Sequence, residues 1–139
     1  MSQSVWILAV CDGSASVVLV SVAEYDAPVR ITGSAVATDT IGLDNRKDVL
    51  TFSSVKKSTE KALHMASKSL KDIDFYELHD LFPVAAALSL EAAGFARKGE
   101  GALLVRKGEI QLNGNIPVTT MGGCKARGTR WVRVVCTRL

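Results

Sequence analysis

The sequence predicts an α/β domain built on a parallel or mixed sheet, and three observations carry that expectation. Two β-branched apolar runs, Ala15 to Val22 and Val29 to Thr38, have the length and composition of strands. A helix-period pattern follows them. A short apolar segment, Phe75 to Leu78, then leads into a second helical stretch. Strands that alternate with helices, joined by connections long enough for right-handed crossovers, form such sheets with helices on their faces.

The elements follow in order. Ala15 to Val22 (ASVVLVSV) lacks polar alternation, so it reads as a strand buried on both faces. Asp26-Ala27-Pro28 turns the chain, and Val29 to Thr38 (VRITGSAVAT) is a second strand interrupted by Gly33. Asp39 to Asp48 is polar and reads as a loop with a turn at Asp44-Asn45. Ser53 or Ser54 stands where a helix cap is wanted. Behind it Val55, Ala62, Leu63, Ala66 and Leu70 recur at helical spacing, and Lys56, Lys57, Glu60, Lys61 and Lys68 form a solvated face. Lys71 to Asp74 closes that helix. Pro83 to Gly94 (PVAAALSLEAAG) starts with a first-turn proline and ends on a C-cap glycine. It is apolar on nearly every face, which predicts a buried helix. Two short apolar segments, Gly101 to Val105 and Ile110 to Leu112, flank a Lys107-Gly108 turn. Asn113 to Asn115 and a glycine-rich loop, Met121 to Gly128, come after. The three strands are expected in one sheet, the first beside the second and the second beside the third.

Composition narrows the function classes. One domain fits 139 residues, and 47% apolar with 22% charged residues is globular. A net charge of +3 is too mild to imply nucleic-acid binding, although Lys125, Arg127, Arg130, Arg133 and Arg138 crowd the tail. No apolar run reaches the roughly 18 residues of a membrane span, and Val5 to Val10 lacks the length and basic leader of a signal peptide. Cys11, Cys124 and Cys136 are odd in number and without CxxC spacing. Neither a disulfide framework nor a metal site is expected, and the expected setting is the reducing cytoplasm.

Two places carry candidate chemistry. In Glu77-Leu78-His79-Asp80-Leu81-Phe82 a strand ends and a buried helix begins, and ligands of open α/β sheets bind at the carboxyl ends of strands. His79 there can donate a hydrogen bond or hold a water. Equally, Asp80 can cap the helix and His79 can be an ordinary interior histidine. The second place is Gly122-Gly123-Cys124-Lys125-Ala126-Arg127-Gly128. Its paired glycines allow close backbone approach to a ligand, and Lys125 and Arg127 can face a phosphate. It matches neither the Walker nor the dinucleotide fingerprint, and a solvated surface loop is the plainer reading. Cys124 has basic neighbours but no histidine near it in the chain, so it reads as an unreactive cysteine. Cys11 reads as core, His64 as a helix boundary residue and Asp12-Gly13 as a turn.

In this order the segments resemble the C-terminal half of a thiolase of the archaeal, sterol-carrier-like type, in the acetyl-CoA C-acetyltransferase family. The matching pieces are Asp12 to Ser16, Gly33 to Thr40 (GSAVATDT), Asp72 to Phe82 (DIDFYELHDLF), Glu91 to Phe95 (EAAGF), Asn113 to Val118 (NGNIPV) and Gly122 to Gly128 (GGCKARG). The His-Asp-x-Phe box with the late Gly-Gly-x-Lys-Ala-Arg-Gly loop is the specific part. The resemblance implies a thiolase-like half-domain, a βαβαβ mixed sheet with flanking helices, incomplete at its C-terminus. The family reading requires residues 75–78 in that sheet.

It also implies acyl transfer on acyl-CoA thioesters, with the acyl group carried by a cysteine of the N-terminal half. His79 corresponds to the histidine that holds the oxyanion-hole water. Asp80, Phe82, Gly122, Gly123, Lys125 and Arg127 fall at substrate-binding positions. The acyl-CoA is substrate, and no resident cofactor is implied. The chain departs from the pattern at Leu81, where relatives often carry an acid/base cysteine, and at Thr129, where a histidine is usual. Residues 1–129 read as the partial thiolase-like domain. Residues 130–139 read as a divergent basic tail of the kind a shifted reading frame leaves. Three roles stay open: an enzyme part that works with a separate N-terminal half, a non-catalytic acyl-CoA-binding or scaffold subunit, and a decayed gene fragment. Homo-oligomers, with Val84 and Leu88 near the contact, are expected; nucleic acid and membrane are not.

Overall fold

The computed structural model describes residues 16–124. Three helices organise them: α1 (Ser53–Ala66), α2 (Pro83–Ala93) and α3 (Gly101–Arg106), with α1 and α3 both packed against α2. The core sits where the second half of α2 meets the later loops. Leu78, Leu90, Ala92, Ala93, Ile116 and Cys124 are buried there, Leu90 to within 1% of full cover.

Helix α1 begins without a side-chain cap. Phe52 occupies the cap position and Ser53 is already helical, so neither Ser53 nor Ser54 caps as expected. A serine that has entered the helix no longer has the extended backbone a cap needs. The helix stops at Ser67, whose backbone turns left-handed (φ 52°). Leu70 therefore lies outside α1, in a separate 3-10 turn (Leu70–Asp72). Asp72 Oδ2 accepts both the amide and the hydroxyl of Ser69 at the start of that turn, at 2.8 and 2.7 Å. Those bonds hold the Asp72 carboxyl below its ordinary range.

Helix α2 matches its sequence signals. Pro83 stands in the first turn, and Gly94 (φ 96°) ends the helix by giving its amide to the carbonyls of Glu91 and Leu90. Burial is uneven, however. Ser89 to Ala93 are covered apart from half-buried Glu91, whereas Val84 is 62% exposed. Gly101 opens α3 against α2. It gives its amide to Glu91 Oε1 (2.9 Å), and a Cβ there would press on the Ala87 carbonyl.

The strands depart most from expectation. Residues 16–22 and 29–38 are extended or turned but pair with nothing in a ladder among the described residues, and Val18 is 88% exposed. An apolar run becomes a buried strand only when neighbours pair both edges and layers cover both faces, and the described residues supply neither. The second run instead lies along α1. Gly33 abuts the Ala62 carbonyl, and the Ser34 amide points at Met65 Sδ (3.4 Å). The expected partnership of residues 75–78 with that run is also corrected. Tyr76 pairs in parallel with Val118, donating its amide to the Pro117 carbonyl (2.8 Å) and accepting the Thr119 amide (3.1 Å). The Tyr76 ring packs on Phe95 with centroids 5.0 Å apart, and burial pushes its phenol up despite a hydrogen bond with Thr59. The Asp44-Asn45 turn is present as a 3-10 turn (Leu43–Asn45).

Candidate functional site

Beyond the Tyr76–Val118 bridge both segments run on in the same direction, so residues 77–80 and 119–124 emerge side by side. The carboxyl ends of adjacent parallel segments are where α/β folds place ligands. Three links join the two loops. Glu77 Oε1 accepts the amide and the hydroxyl of Thr120, at 2.7 and 2.8 Å. Asp80 Oδ1 accepts the Cys124 amide at 2.5 Å. Cys124 Sγ lies 3.5 Å from His79 Nδ1.

Asp80 is thus not a helix cap. The cap position belongs to Phe82, which makes no side-chain cap bond, and the Asp80 carboxylate reaches the opposite loop. That loop is shaped to receive it. Gly122 (φ 94°) and Gly123 (φ 63°) both adopt left-handed backbone, and a Cβ on Gly123 would collide with the Asp80 carboxylate. Backbone amides presented to a carboxylate in this way are strong, charge-assisted bonds. His79 itself is exposed, while Cys124 is 2% exposed.

An apolar cleft of about 540 Å³ adjoins the cluster, walled by α2, α3 and the bridge; Leu78, Leu90 and Val118 line it, and Asp80 and Arg106 are its charged members. No group of three or more metal-ligating side chains occurs among the described residues, and no helix there is long and apolar enough to cross a membrane.

Of the residues singled out from sequence, His79, Asp80 and Gly123 come together, with Gly122 adjacent in the same turn. Phe82 stands at the α2 cap position and is 43% exposed. Lys125, Arg127 and Thr129 lie outside the described residues, as do Cys11 and Cys136. His64 is exposed on α1. No histidine is near Cys124 in the chain, but the fold brings His79 to it from 45 positions upstream. Glu77 opens the segment singled out from sequence but with no role of its own, and Thr120 was not anticipated; no local pattern marks the bond between them.

Comparison with proteins of known identity defines the class in two steps. The fold is shared with a solved structure described as an Ltp2-ChsH2(DUF35) aldolase, which superposes with a TM-score of 0.62 over 68% of this chain and 26% of that one, at 22% identity. A family model described as thiolase C-terminal domain-like matches residues 35–137, and the chain belongs to that family. The match ends two residues short of the last one, within the segment set apart above as a divergent tail. An acetyl-CoA acetyltransferase of Methanothermobacter thermautotrophicus is 38% identical over 86% of this chain, and one of Methanocaldococcus jannaschii is 36% identical over 72%. Human sterol carrier protein 2 is 30% identical over 84%. The chain spans 32%, 26% and 23% of those three relatives, about a third of their length or less.

Proposed function

We propose that this chain is the C-terminal half of a thiolase-superfamily acyl-CoA acyltransferase of the acetyl-CoA acetyltransferase kind, and that these 139 residues provide one side of an acyl-CoA site without turning substrate over by themselves. The observation that carries the reading is the joining of the His79-Asp80 box to the Gly122–Cys124 loop, beside an apolar cleft, in a member of the thiolase C-terminal family. His79 holds the water that faces the developing oxyanion. Asp80 fixes the glycine turn, whose backbone lies against the thioester. Lys125 and Arg127 meet the phosphates of coenzyme A, and Phe82 borders the substrate at the head of α2. Acyl-CoA is substrate, with no resident cofactor, and the protein works in the cytoplasm.

The test pairs binding with turnover. The chain is expected to bind acetyl-CoA and to show no condensation or thiolysis. Turnover appears when a thiolase N-terminal half supplies its cysteine, and His79→Ala then lowers it by about 10²–10³. Turnover by the chain alone that vanishes in Cys124→Ala overturns the reading. Leu81 and Thr129, in place of a cysteine and a histidine, favour a second reading as a non-catalytic acyl-CoA-binding subunit. Binding without turnover even beside the N-terminal half selects it.

The protein partner on either reading is that N-terminal half or a second copy. Exposed Val84 and half-buried Leu88 mark the α2 face where copies meet. Sedimentation at roughly tens of micromolar is expected to show a dimer or larger species, and a clean monomer removes the second copy from this account.

A further inference from the structure

Cys124 is the member of the cluster to which neither the family match nor the sequence pattern gives a task. It is the wrong residue for a freely accessible nucleophile, because its side chain is 2% exposed. It is well placed for something else. Its amide is pinned by Asp80 Oδ1, the preceding Gly123 has a backbone suited to glycine, and its sulfur faces the Nδ1 edge of His79 at 3.5 Å. His79, by contrast, is exposed. Of its two ring nitrogens, Nδ1 is therefore engaged with the sulfur, and Nε2 is left for a ligand. In a neutral imidazole one nitrogen donates and the other accepts, and the bond made by one decides the role of the other.

We propose that Cys124 is a positioning residue for His79: its thiol donates to Nδ1, which keeps the proton on Nε2 and aims that N–H at the ligand side of the site. A donor at Nε2 is what stabilisation of a developing oxyanion, directly or through a water, requires. A thiol is a weak donor, but at 2% exposure the bond has little competition from water. This role rests on the acyl-CoA reading above only for the identity of the ligand. The orientation of the ring stands apart from it.

The chain has two histidines, so imidazole ¹⁵N spectra of the 139 residues contain two rings, and His64→Gln assigns them. With the imidazole neutral, His79 is expected as the Nε2–H form, with a Nδ1 resonance displaced from that of solvent-exposed His64. Cys124→Ser keeps the donor and preserves that displacement. Cys124→Ala moves the Nδ1 resonance to the His64 position. A His79 ring protonated at Nδ1 in the unaltered protein overturns the proposal without any variant, as does a Nδ1 resonance that ignores a folded Cys124→Ala chain. Acetyl-CoA is then added as the probe. A shift of Nε2 that spares Nδ1 supports both readings. Absence of any shift, with the Nε2–H form in place, counts against the acyl-CoA reading and leaves the orientation of His79 intact.

Discussion

Residues 16–50 and residues 70–124 are both rich in apolar side chains, yet they end in opposite states. The first region carries Val17 to Val20, Val29, Ile31 and Val36 with their side chains in solvent. The second buries Leu78, Leu90, Ile116 and Cys124. What separates them is partnership. In the later region the buried side chains lie where elements approach closely: α3 on α2 through Gly101, the 119–124 loop on the 77–80 loop through Gly123, and Tyr76 on Val118. In the earlier region Gly33 and Ser34 approach α1 closely, and Asp48 pairs with Lys98 at its edge. Apolar content measures how much a segment gains from being covered. It does not supply the cover.

The largest expected effect tests that contrast directly. Leu90→Ala in the covered region should lower unfolding free energy by about 2–5 kcal/mol, whereas Val18→Thr in the open region should stay within roughly 0.5 kcal/mol. Urea titration of the two variants measures both. Equal costs would erase the distinction. Next comes Gly123→Ala, which forces a Cβ into the Asp80 carboxylate at a left-handed position and should cost about 1–3 kcal/mol, with loss of acetyl-CoA binding. Thr120→Val leaves Glu77 Oε1 with the Thr120 amide but removes the hydroxyl bond, a loss of about 1.5–3 kcal/mol for a bond to a charged group, again read by urea.

The smallest effect sharpens the edge of the open region. Lys98 donates to Asp48 Oδ2 across that boundary, and with the Thr51 hydroxyl and the Leu50 amide it holds the Asp48 carboxyl at about 2, below the ordinary 3.8. A carboxyl depressed by folding adds stability above its unfolded value and loses it as pH falls through the folded one. Asp48→Asn should therefore melt slightly below the unaltered chain at neutral pH, and the gap should close between about pH 4 and pH 2. Because the pair is exposed, added salt should narrow the gap as well. A gap that widens on acidification contradicts the assignment.

The same contrast explains what was legible in the sequence. Helix α2 was readable to within a residue, because Pro83 and Gly94 act locally through fixed φ and left-handed φ. The Asp44-Asn45 turn was local too. Helix α3 was not announced, since six residues carry too little periodicity to distinguish a helix from a strand. The strand runs were read from composition, but a ladder is a relation between distant segments that one sequence does not display. The expectation that the family and a sheet containing residues 75–78 stand together is corrected for the same reason: the family match holds, and Tyr76 pairs with Val118 instead. At the site, His79, Asp80 and the paired glycines were legible as box and loop. Their union was not, nor was Cys124 as the neighbour of His79.

The parallel bridge also bears on the order of folding. Asp80 and Cys124 stand 44 positions apart, and α2 and α3 both lie in the chain between them. Closing so long a loop around one pair of hydrogen bonds carries an entropy cost that local helices do not meet. The two helices are therefore expected to dock before the loops that carry His79 and Cys124 join. What joins last under native conditions is also what opens at the lowest free energy. Amide exchange should find the Cys124 N–H opening well before those in the second half of α2, so the site is a latch on a preformed helical pair rather than part of its foundation.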